Sequence, residues 1–317
     1  MSAIAEKWLV VVNVFAASKQ AGSVWKNAAA LLDEAAIPYS VQFTGGKDNA
    51  RELSYKAAAK GYRKFIAVGG DGTVHDVLNG IAAYASDAVD VTLADFTMAV
   101  LPVGSGNDWI RTTKVPRNLA AAIGLIAEGK TTGQDVVKVY NPDNCSETYM
   151  ANIGGIGLDA RVAEIVNKKK EQGKRGRILY VRALLYCIKH RSPVKAKVVC
   201  DGNVVFDGKY LSMAFGIGKY SGGGMRQTPL AIMDDGLLDV TIIPDISLWI
   251  IARKAIRLFT GTFHKIDVLT QSRCREVEVL PYGPADAEPI EVDGEIVGRV
   301  PVKMTVLPEQ LNIISGF

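Results

Sequence analysis

The chain has 317 residues, enough for two ordinary domains, and its 48% hydrophobic and 22% charged residues are typical of a globular protein with a large core. No run approaches the ~20 apolar residues that span a bilayer. Charged residues at positions 6 and 7 precede any apolar run, so we expect no secretory signal. The net charge of +4 gives no reason to expect a nucleic-acid partner, and four widely spaced cysteines favour reduced thiols in a cytoplasmic protein.

The first part of the chain alternates short apolar runs with helical patterns. The predicted strands are Trp8–Asn13, Tyr39–Phe43, Phe65–Val68 and Thr97–Leu101. The predicted helices are Val24–Ala35, Asn49–Lys60, a segment following Asp71, and Leu119–Glu128. This alternation predicts a Rossmann-like α/β domain, in which helices cover both faces of a parallel sheet.

The pattern changes after about Asp135, where short β-rich runs dominate. Glycine, proline, aspartate and asparagine turns separate these runs, as expected of an antiparallel β-sandwich or barrel. Two helical stretches, Ile178–Lys189 and Leu248–Thr260, interrupt the β-rich part. We therefore predict an α/β domain over residues 1–134 and a β-sandwich domain over residues 135–307, with a nucleotide cleft between them.

The strongest motif is Gly69-Gly70-Asp71-Gly72-Thr73, which joins a predicted buried strand to a helix. Glycines at this position let backbone amides approach a phosphate closely, and the next helix offers its positive N-terminal end. An aspartate among them would repel a phosphate unless a cation lies between the two or the carboxylate accepts a proton. This combination suggests nucleotide chemistry with Mg²⁺. A simple tight turn is the alternative. The chain has no GxxxxGK[ST] sequence, so the motif is not a P-loop.

Two further segments carry polar residues at turns. Gly104-Ser105-Gly106-Asn107-Asp108 follows the next predicted strand, so both glycine-rich loops would border one crevice at the end of the sheet. Near the C-terminus, Asp293-Gly294-Glu295 places two carboxylates around a glycine. One carboxylate of such a pair can take a hydroxyl proton while the other orients it or holds a metal. Taken alone, such a segment is more often an ordinary β-turn than a catalytic pair.

The order of these motifs resembles the diacylglycerol kinase catalytic family, which includes bacterial lipid kinases and sphingosine and ceramide kinases. The resemblance covers GGDGT, then PxGSGND, then DGxLDV at Asp235–Val240, then VDGE at Val292–Glu295. It extends from about Trp8 to the C-terminus. It implies an ATP-dependent lipid kinase whose last segment, residues 308–317, returns to the first domain.

The resemblance also implies roles for individual residues. Glu295 is the expected general base, Asp293 its partner, and Asp71 a catalytic residue at the phosphates or metal. The expected ATP-binding residues are Asn13, Gly69, Gly70, Gly72, Thr73, Gly104, Ser105 and Asn107. The expected Mg²⁺ or structural-cation ligands are Asp71, Asp108, Asp135 and Asp235. Asp159, in the glycine-rich segment Gly154–Ala160, is expected to face the lipid acceptor.

The sequence departs from the family pattern at one segment, and alternative activities stay open. The segment Asn13–Lys19 lacks the family's usual proline and glycines, so its approach to the nucleotide differs. An NAD kinase, or a non-catalytic nucleotide-binding module, would also contain GGDGT. The acceptor is diacylglycerol, a related glycerolipid or a sphingolipid.

The expected partner is a lipid at the inner face of the cytoplasmic membrane, contacted peripherally, and the resemblance favours a homodimer. Two segments could dock on that surface. Lys168–Arg191 carries nine Lys or Arg residues against one acid. The second segment contains Trp249, Arg253, Lys254, Arg257 and Phe259. Either is alternatively an ordinary solvated or packed surface.

Overall fold

The computed structural model describes residues 4–14, 21–45, 49–103, 106–171, 177–190, 194–247, 250 and 256–317. The chain divides into two compact units. The first comprises Met1–Val136 and Leu307–Phe317, and the second comprises Val137–Val306. Among the described residues, no helix has both the length and the apolar character needed to cross a bilayer.

The first unit contains a six-stranded sheet with the order β2-β1-β3-β4-β17-β5. Its strands are β1 (Trp8–Val12), β2 (Tyr39–Phe43), β3 (Lys64–Gly69), β4 (Thr97–Pro102), β5 (Thr131–Gln134) and β17 (Leu311–Ile314). Its helices are α1 (Ala21–Glu34), α2 (Asn49–Ala59), α3 (Asp71–Asp87), α4 (Trp109–Thr113) and α5 (Leu119–Glu128). The strands β1, β3 and β4 are almost wholly buried because helices cover a parallel sheet on both faces.

One edge of this sheet differs from the predicted all-parallel arrangement. Strand β17 pairs with β4 in parallel, and β5 then pairs with β17 antiparallel. The C-terminal strand therefore supplies the template for the edge strand, a pairing between residues far apart in sequence that local patterns do not predict.

The second unit is an antiparallel β structure of eleven strands. Its strands are β6 (Val137–Asn141), β7 (Ser146–Met150), β8 (Ile153–Gly157), β9 (Val194–Cys200), β10 (Asn203–Gly216), β11 (Leu238–Pro244), β12 (Thr270–Cys274), β13 (Glu276–Pro281), β14 (Pro289–Val292), β15 (Glu295–Arg299) and β16 (Val302–Val306). Its helices are α6 (Leu158–Glu171), α7 (Arg177–Lys189) and α8 (Ile256–Thr260). The order is β15-β14-β8-β10-β9-β13-β16-β6-β7, and β11 joins β10 to β12.

The long strand β10 organises this second unit. Its first half pairs with β9, while its second half pairs with β8 on one side and β11 on the other. Its register shifts between Val204 and Phe206 and between Tyr210 and Ser212, the kind of irregularity that bends a strand around a core. Burial alternates along β6, β9 and β16, as in strands with one buried face. The predicted fold class, α/β followed by a β-sandwich, is confirmed.

The structure contains one of the two predicted helices of the second unit and describes part of the other. Helix α7 coincides closely with the predicted Ile178–Lys189. Of the predicted Leu248–Thr260, only residue 250 and α8 lie within the described residues. Helices α6 and α7 pack against each other through a small apolar cluster of Val162, Val166, Ala183 and Cys187.

Candidate active site

The GGDGT segment forms the passage from β3 to α3. Gly69 is the last residue of β3, and a Cβ there would lie 2.1 Å from the Thr73 hydroxyl oxygen, so a larger residue cannot fit. Gly70 caps α3, while Asp71, Gly72 and Thr73 form its first turn. The Asn13 side chain, just after β1, donates a 3.0 Å hydrogen bond to the Thr73 hydroxyl. The ends of two adjacent strands are thereby joined by polar groups.

The second glycine-rich loop follows β4 and is bound directly to the first. The two Asp71 carboxylate oxygens each accept a 3.0 Å hydrogen bond, one from the backbone amide of Asp108 and one from that of Trp109. A Cβ at Gly106 would lie 3.2 Å from the Asp71 carboxylate. Asn107 is buried and adopts a left-handed φ of 54°. Gly104 and Ser105 lie outside the described residues, as do the last five residues of the Asn13–Lys19 segment.

The other two predicted acids of this unit are also buried and engaged. The Arg111 Nε atom lies 3.3 Å from an Asp108 carboxylate oxygen. Asp135 accepts a 2.8 Å hydrogen bond from the Gln310 side chain, immediately before β17. The neighbouring Gln134 accepts a 3.0 Å hydrogen bond from the Trp109 indole. The carboxyl ends of the parallel strands β1, β3 and β4, where ligands of α/β sheets bind, are followed by Asn13, Asp71, Asn107 and Asp108. Asp135 instead follows β5, which runs antiparallel to β17, so β5 ends toward the amino ends of the parallel strands.

The family resemblance implies a Mg²⁺ ion near these acids. Asp71 and Asp135 already accept hydrogen bonds from N–H donors. Across the described part of the chain, no group of three His, Cys, Asp or Glu side chains could hold a metal ion. These residues therefore do not make a metal site from protein ligands alone, and we assign no step to one.

In the second unit, Asp293 and Glu295 flank a tight turn between β14 and β15. Asp293 has a left-handed φ of 52°, and its carboxylate accepts hydrogen bonds from the backbone amides of Ala151, Asn152 and Ile153 at 2.9, 2.9 and 3.2 Å. The Asp293 amide donates in return to the Ile153 carbonyl at 2.9 Å. Asp293 therefore anchors the turn to the start of β8, while Glu295 begins β15 as a half-buried side chain.

Behind this turn lie two carboxyl groups, the half-buried Asp159 and the buried Glu291. Burial raises the pKa of Asp159, although a 2.7 Å hydrogen bond from the Ser212 hydroxyl partly opposes the rise. Burial also raises the pKa of Glu291 well above its ordinary value, against a 2.7 Å hydrogen bond from the Gly294 amide. A Cβ at Gly155 would lie 3.0 Å from a Glu291 oxygen and 3.3 Å from the Asp159 Cβ. The glycine lets these two side chains approach each other.

Asp159 also lies at the polar end of an apolar pocket inside the second unit. The pocket has a volume of about 150 Å³. Its apolar wall includes Leu184, Ile188, Leu211, Ala214, Phe263 and Ile266. Ser212 and Gln227 line it beside Asp159, and Gln227 also hydrogen-bonds the Asp159 carboxyl. Sequence reasoning missed Ser212, Gln227 and Glu291. Only Glu291 left a signal, as a charged residue in the otherwise apolar strand Pro289–Val292.

Asp235 lies away from the residues just described, in the turn before β11. Its carboxylate accepts a 3.2 Å hydrogen bond from the Leu237 amide and pairs with the Arg273 guanidinium. The structure therefore groups the predicted acids in three places within the two units: the strand ends of the first unit, the Asp293–Glu295 turn with Asp159, and the turn before β11.

Family models match both parts of the chain. The model of the diacylglycerol kinase catalytic domain matches residues 7–139, and that of the YegS C-terminal NAD kinase β-sandwich-like domain matches residues 153–315. The first span contains both glycine-rich loops and Asp135, and the second contains Asp159, Asp235 and the Asp293–Glu295 turn. The chain belongs to the kinase family defined by these two domains.

Individual relatives agree with this assignment. A diacylglycerol kinase of Mycobacterium tuberculosis is 27% identical over 276 residues, 86% of this chain and 84% of the relative. A YegS-like lipid kinase of Xanthomonas euvesicatoria is 25% identical over 300 residues, 92% of this chain and 94% of the relative. The crystal structure of a diacylglycerol kinase from Bacillus anthracis is similar with a TM-score of 0.77 at 24% identity, over 98% of this chain and 97% of that one. That structure shows the same fold.

Proposed function

We propose that this chain is an ATP-dependent lipid kinase that phosphorylates the hydroxyl of a neutral glycerolipid such as diacylglycerol. The observation that carries the proposal is the apolar pocket, whose lining includes the hydrogen-bonded polar cluster of Asp159, Ser212 and Gln227. Such a pocket suits an acyl chain with a small polar head, because burying apolar surface favours binding while a few polar groups orient the ligand.

The first unit would bind ATP at the two glycine-rich loops. ATP enters as its magnesium complex, in which phosphate oxygens and water hold much of the ion's coordination shell. Asp71 keeps the second loop in place through the amides of Asp108 and Trp109. Glycines at positions 69 and 70 leave the backbone open to close approach by phosphate.

In the second unit we assign the general base to Glu295. Asp293 accepts three backbone amides and so serves to fix the turn rather than to take the proton. Glu295 is half-buried in the same turn. In its ionised form this carboxylate takes the proton of the acceptor hydroxyl while the hydroxyl oxygen attacks the γ-phosphorus. The γ-phosphoryl group passes to that oxygen and ADP leaves.

The pKa of Asp159 favours a neutral acceptor over a sphingoid base. Burial raises this pKa and so favours the uncharged carboxyl, which can both donate and accept hydrogen bonds with a glycerol head group. A cationic amine would gain most from an ionised carboxylate, the form that burial disfavours here.

Helix α7 provides a route to the membrane for this acceptor. Its inner side lines the pocket with Leu184 and Ile188. Its outer side leaves Leu185 60% and Tyr186 57% exposed. Arg182 and Lys189, exposed on the same helix, add positive charge next to these apolar side chains. We propose that this face docks on an anionic bilayer surface, because interfacial helices combine such residues. In the predicted basic stretch, residues 172–176 and 191 lie outside the described residues.

The test is phosphorylation from radiolabelled ATP with three acceptors offered separately: diacylglycerol in mixed micelles, sphingosine in mixed micelles, and NAD in solution. We expect a labelled lipid from diacylglycerol and little or none from the others. Label on NAD alone would establish the NAD kinase alternative, and ATP binding without any product would favour the non-catalytic module.

A pair of variants on β10 tests the pocket. Ala214→Phe fills the pocket and should raise the KM for a long-chain acceptor with little change for ATP. Val204→Phe adds the same side chain at an exposed position of the same strand and should leave both constants unchanged. Equal behaviour of the two variants would show that the acceptor binds elsewhere.

A further inference from the structure

The turn before β11 contains a carboxylate that the family resemblance assigns to a structural cation, Asp235. In this chain the Asp235 side chain is already bound on both oxygens. One accepts the Leu237 amide at 3.2 Å, with Gly236 at a left-handed φ of 74° between them. The other pairs with the Arg273 guanidinium.

Arg273 binds a second carboxylate at the same time. It lies on β12 directly opposite Asp239 of β11, and its Nε atom is 3.0 Å from an Asp239 oxygen. One guanidinium therefore bridges the turn and the strand that follows it. The planar fork of arginine suits this double contact, because its N–H donors are fixed in direction and can bind two carboxylates at once.

The charges of this cluster support the bridge. Arg273 carries a permanent positive charge, because a guanidinium is not deprotonated in proteins. Without Arg273, two neighbouring carboxylates would repel each other at neutral pH, and a bound cation would be the other means of neutralising them.

A divalent cation and this guanidinium would compete for the same carboxylate oxygens. Mg²⁺ requires about six oxygen ligands at close range, and a neighbouring guanidinium both blocks one approach and repels the ion. We propose that Arg273 takes the place of the structural cation at Asp235, so that a side chain rather than a metal holds this turn.

The bridge has a consequence for the apolar pocket. Thr241, two residues after Asp239 on β11, lines that pocket, and β11 pairs with the pocket-lining half of β10. A cavity of about 250 Å³ is lined in part by Arg273 and Asp239, so small ions in solution can reach these two side chains. The position of this wall would then be independent of divalent cations.

The test measures thermal unfolding without nucleotide, in EDTA and in millimolar MgCl₂ or CaCl₂, for wild type and Asp235→Asn. Any shift in Tm caused by the cation should be the same in the two proteins, because the ion does not act through Asp235. A cation-induced shift that is larger in wild type than in Asp235→Asn would overturn the proposal. Terbium luminescence, compared between the same two proteins, gives the equivalent answer without unfolding.

Charge compensation is tested by a second comparison. Arg273→Met should lower Tm by roughly 3–6 °C in the otherwise wild-type chain, because it leaves two uncompensated carboxylates. In an Asp235→Asn/Asp239→Asn background the same substitution should cost far less. Equal losses in both backgrounds would show that Arg273 acts by packing alone, and would refute its role as the cation. Arg273→Lys, which keeps the charge, should recover part of the loss if Arg273→Met is too unstable to purify.

Discussion

The two units treat their buried acids in opposite ways. At the strand ends of the first unit, Asp71 and Asp135 accept hydrogen bonds from N–H donors, which stabilise ionised carboxylates. Behind the Asp293–Glu295 turn of the second unit, desolvation raises the pKa of the half-buried Asp159 and of the buried Glu291, which favours their neutral forms. Carboxylates held by donors can order loops for an anionic nucleotide, whereas neutral carboxyls suit an uncharged lipid head group.

Asp293 of the second unit is bound in the same manner as the acids of the first unit. Like Asp71, it uses its carboxylate to bind the backbone of a distant segment, here the start of β8. An aspartate of a glycine-rich motif can therefore be required for the shape of a site without contacting the substrate. Substitutions of Glu295, Asp293 and Asp71 should separate such positioning acids from an acid that takes part in the reaction.

The largest effect is expected from Glu295→Gln, which removes the proposed base but keeps the size of the side chain. We expect kcat to fall ~10²- to 10⁴-fold while the KM for ATP stays nearly constant, since the base acts only in the transition state. Steady-state kinetics measure both constants. In contrast, Asp293→Asn should lower Tm as well, because it weakens the three amide contacts. Loss of ATP binding in Glu295→Gln would move that residue to the nucleotide site.

Asp71→Asn is expected to cause the second-largest loss of turnover. An amide side chain has one acceptor oxygen, whereas Asp71 accepts two backbone amides, so the loop at Asp108 and Trp109 loses an anchor and its charge. We expect turnover to fall ~10²-fold or more with an unchanged circular dichroism spectrum. Activity within a few-fold of wild type would contradict the role assigned to Asp71.

The outer face of α7 should give a smaller, salt-dependent effect. Arg182→Glu/Lys189→Glu removes two cations near the proposed membrane surface, each contributing ~1 kcal/mol, so vesicle binding should weaken roughly 30-fold or more at low salt. Co-sedimentation with anionic vesicles measures this. The control, Lys26→Glu/Lys60→Glu, makes the same charge change at exposed sites of the first unit. If both pairs weaken binding alike, only the net charge matters and α7 is not the docking face.

The smallest expected effect is the pH-dependent change in thermal stability caused by Glu291→Gln. The pKa of Glu291 is raised in the folded protein, so its contribution to stability is present below the ordinary value of 4.5 and is lost as pH rises through the folded value. Glutamine copies the protonated form. Wild type and Glu291→Gln should therefore melt alike near pH 5, and the variant should be more stable by ~3 °C near pH 8.

Glu288→Gln is the control for Glu291→Gln. Glu288 is equally buried but forms a two-point ion pair with Arg161, at 2.5 and 2.6 Å. Neutralising it leaves Arg161 without its charged partner, so this variant should be less stable than wild type at neutral pH. A Glu291→Gln variant that also loses stability near pH 8 would show that Glu291 is ionised in the folded protein.

The sequence by itself determined the architecture and the location of the loops. Apolar runs such as Trp8–Val12 and helical spacing are local properties, so they predict strands and helices without knowledge of distant contacts. The GGDGT segment can likewise be recognised from local sequence, because glycine is needed where the backbone must approach another group closely. At Gly69 the close neighbour is Thr73, only four residues along the chain.

Only the tertiary structure decided what each acid does. Asp71 binds amides that lie 37 and 38 residues along the chain, and Asp293 binds amides 140 to 142 residues before it. The raised pKa of Glu291 and the pairing of Asp235 with Arg273 depend in the same way on strands brought together by folding. The charge and hydrogen bonding of a carboxyl group are set by its three-dimensional neighbours, and local sequence patterns do not specify those neighbours.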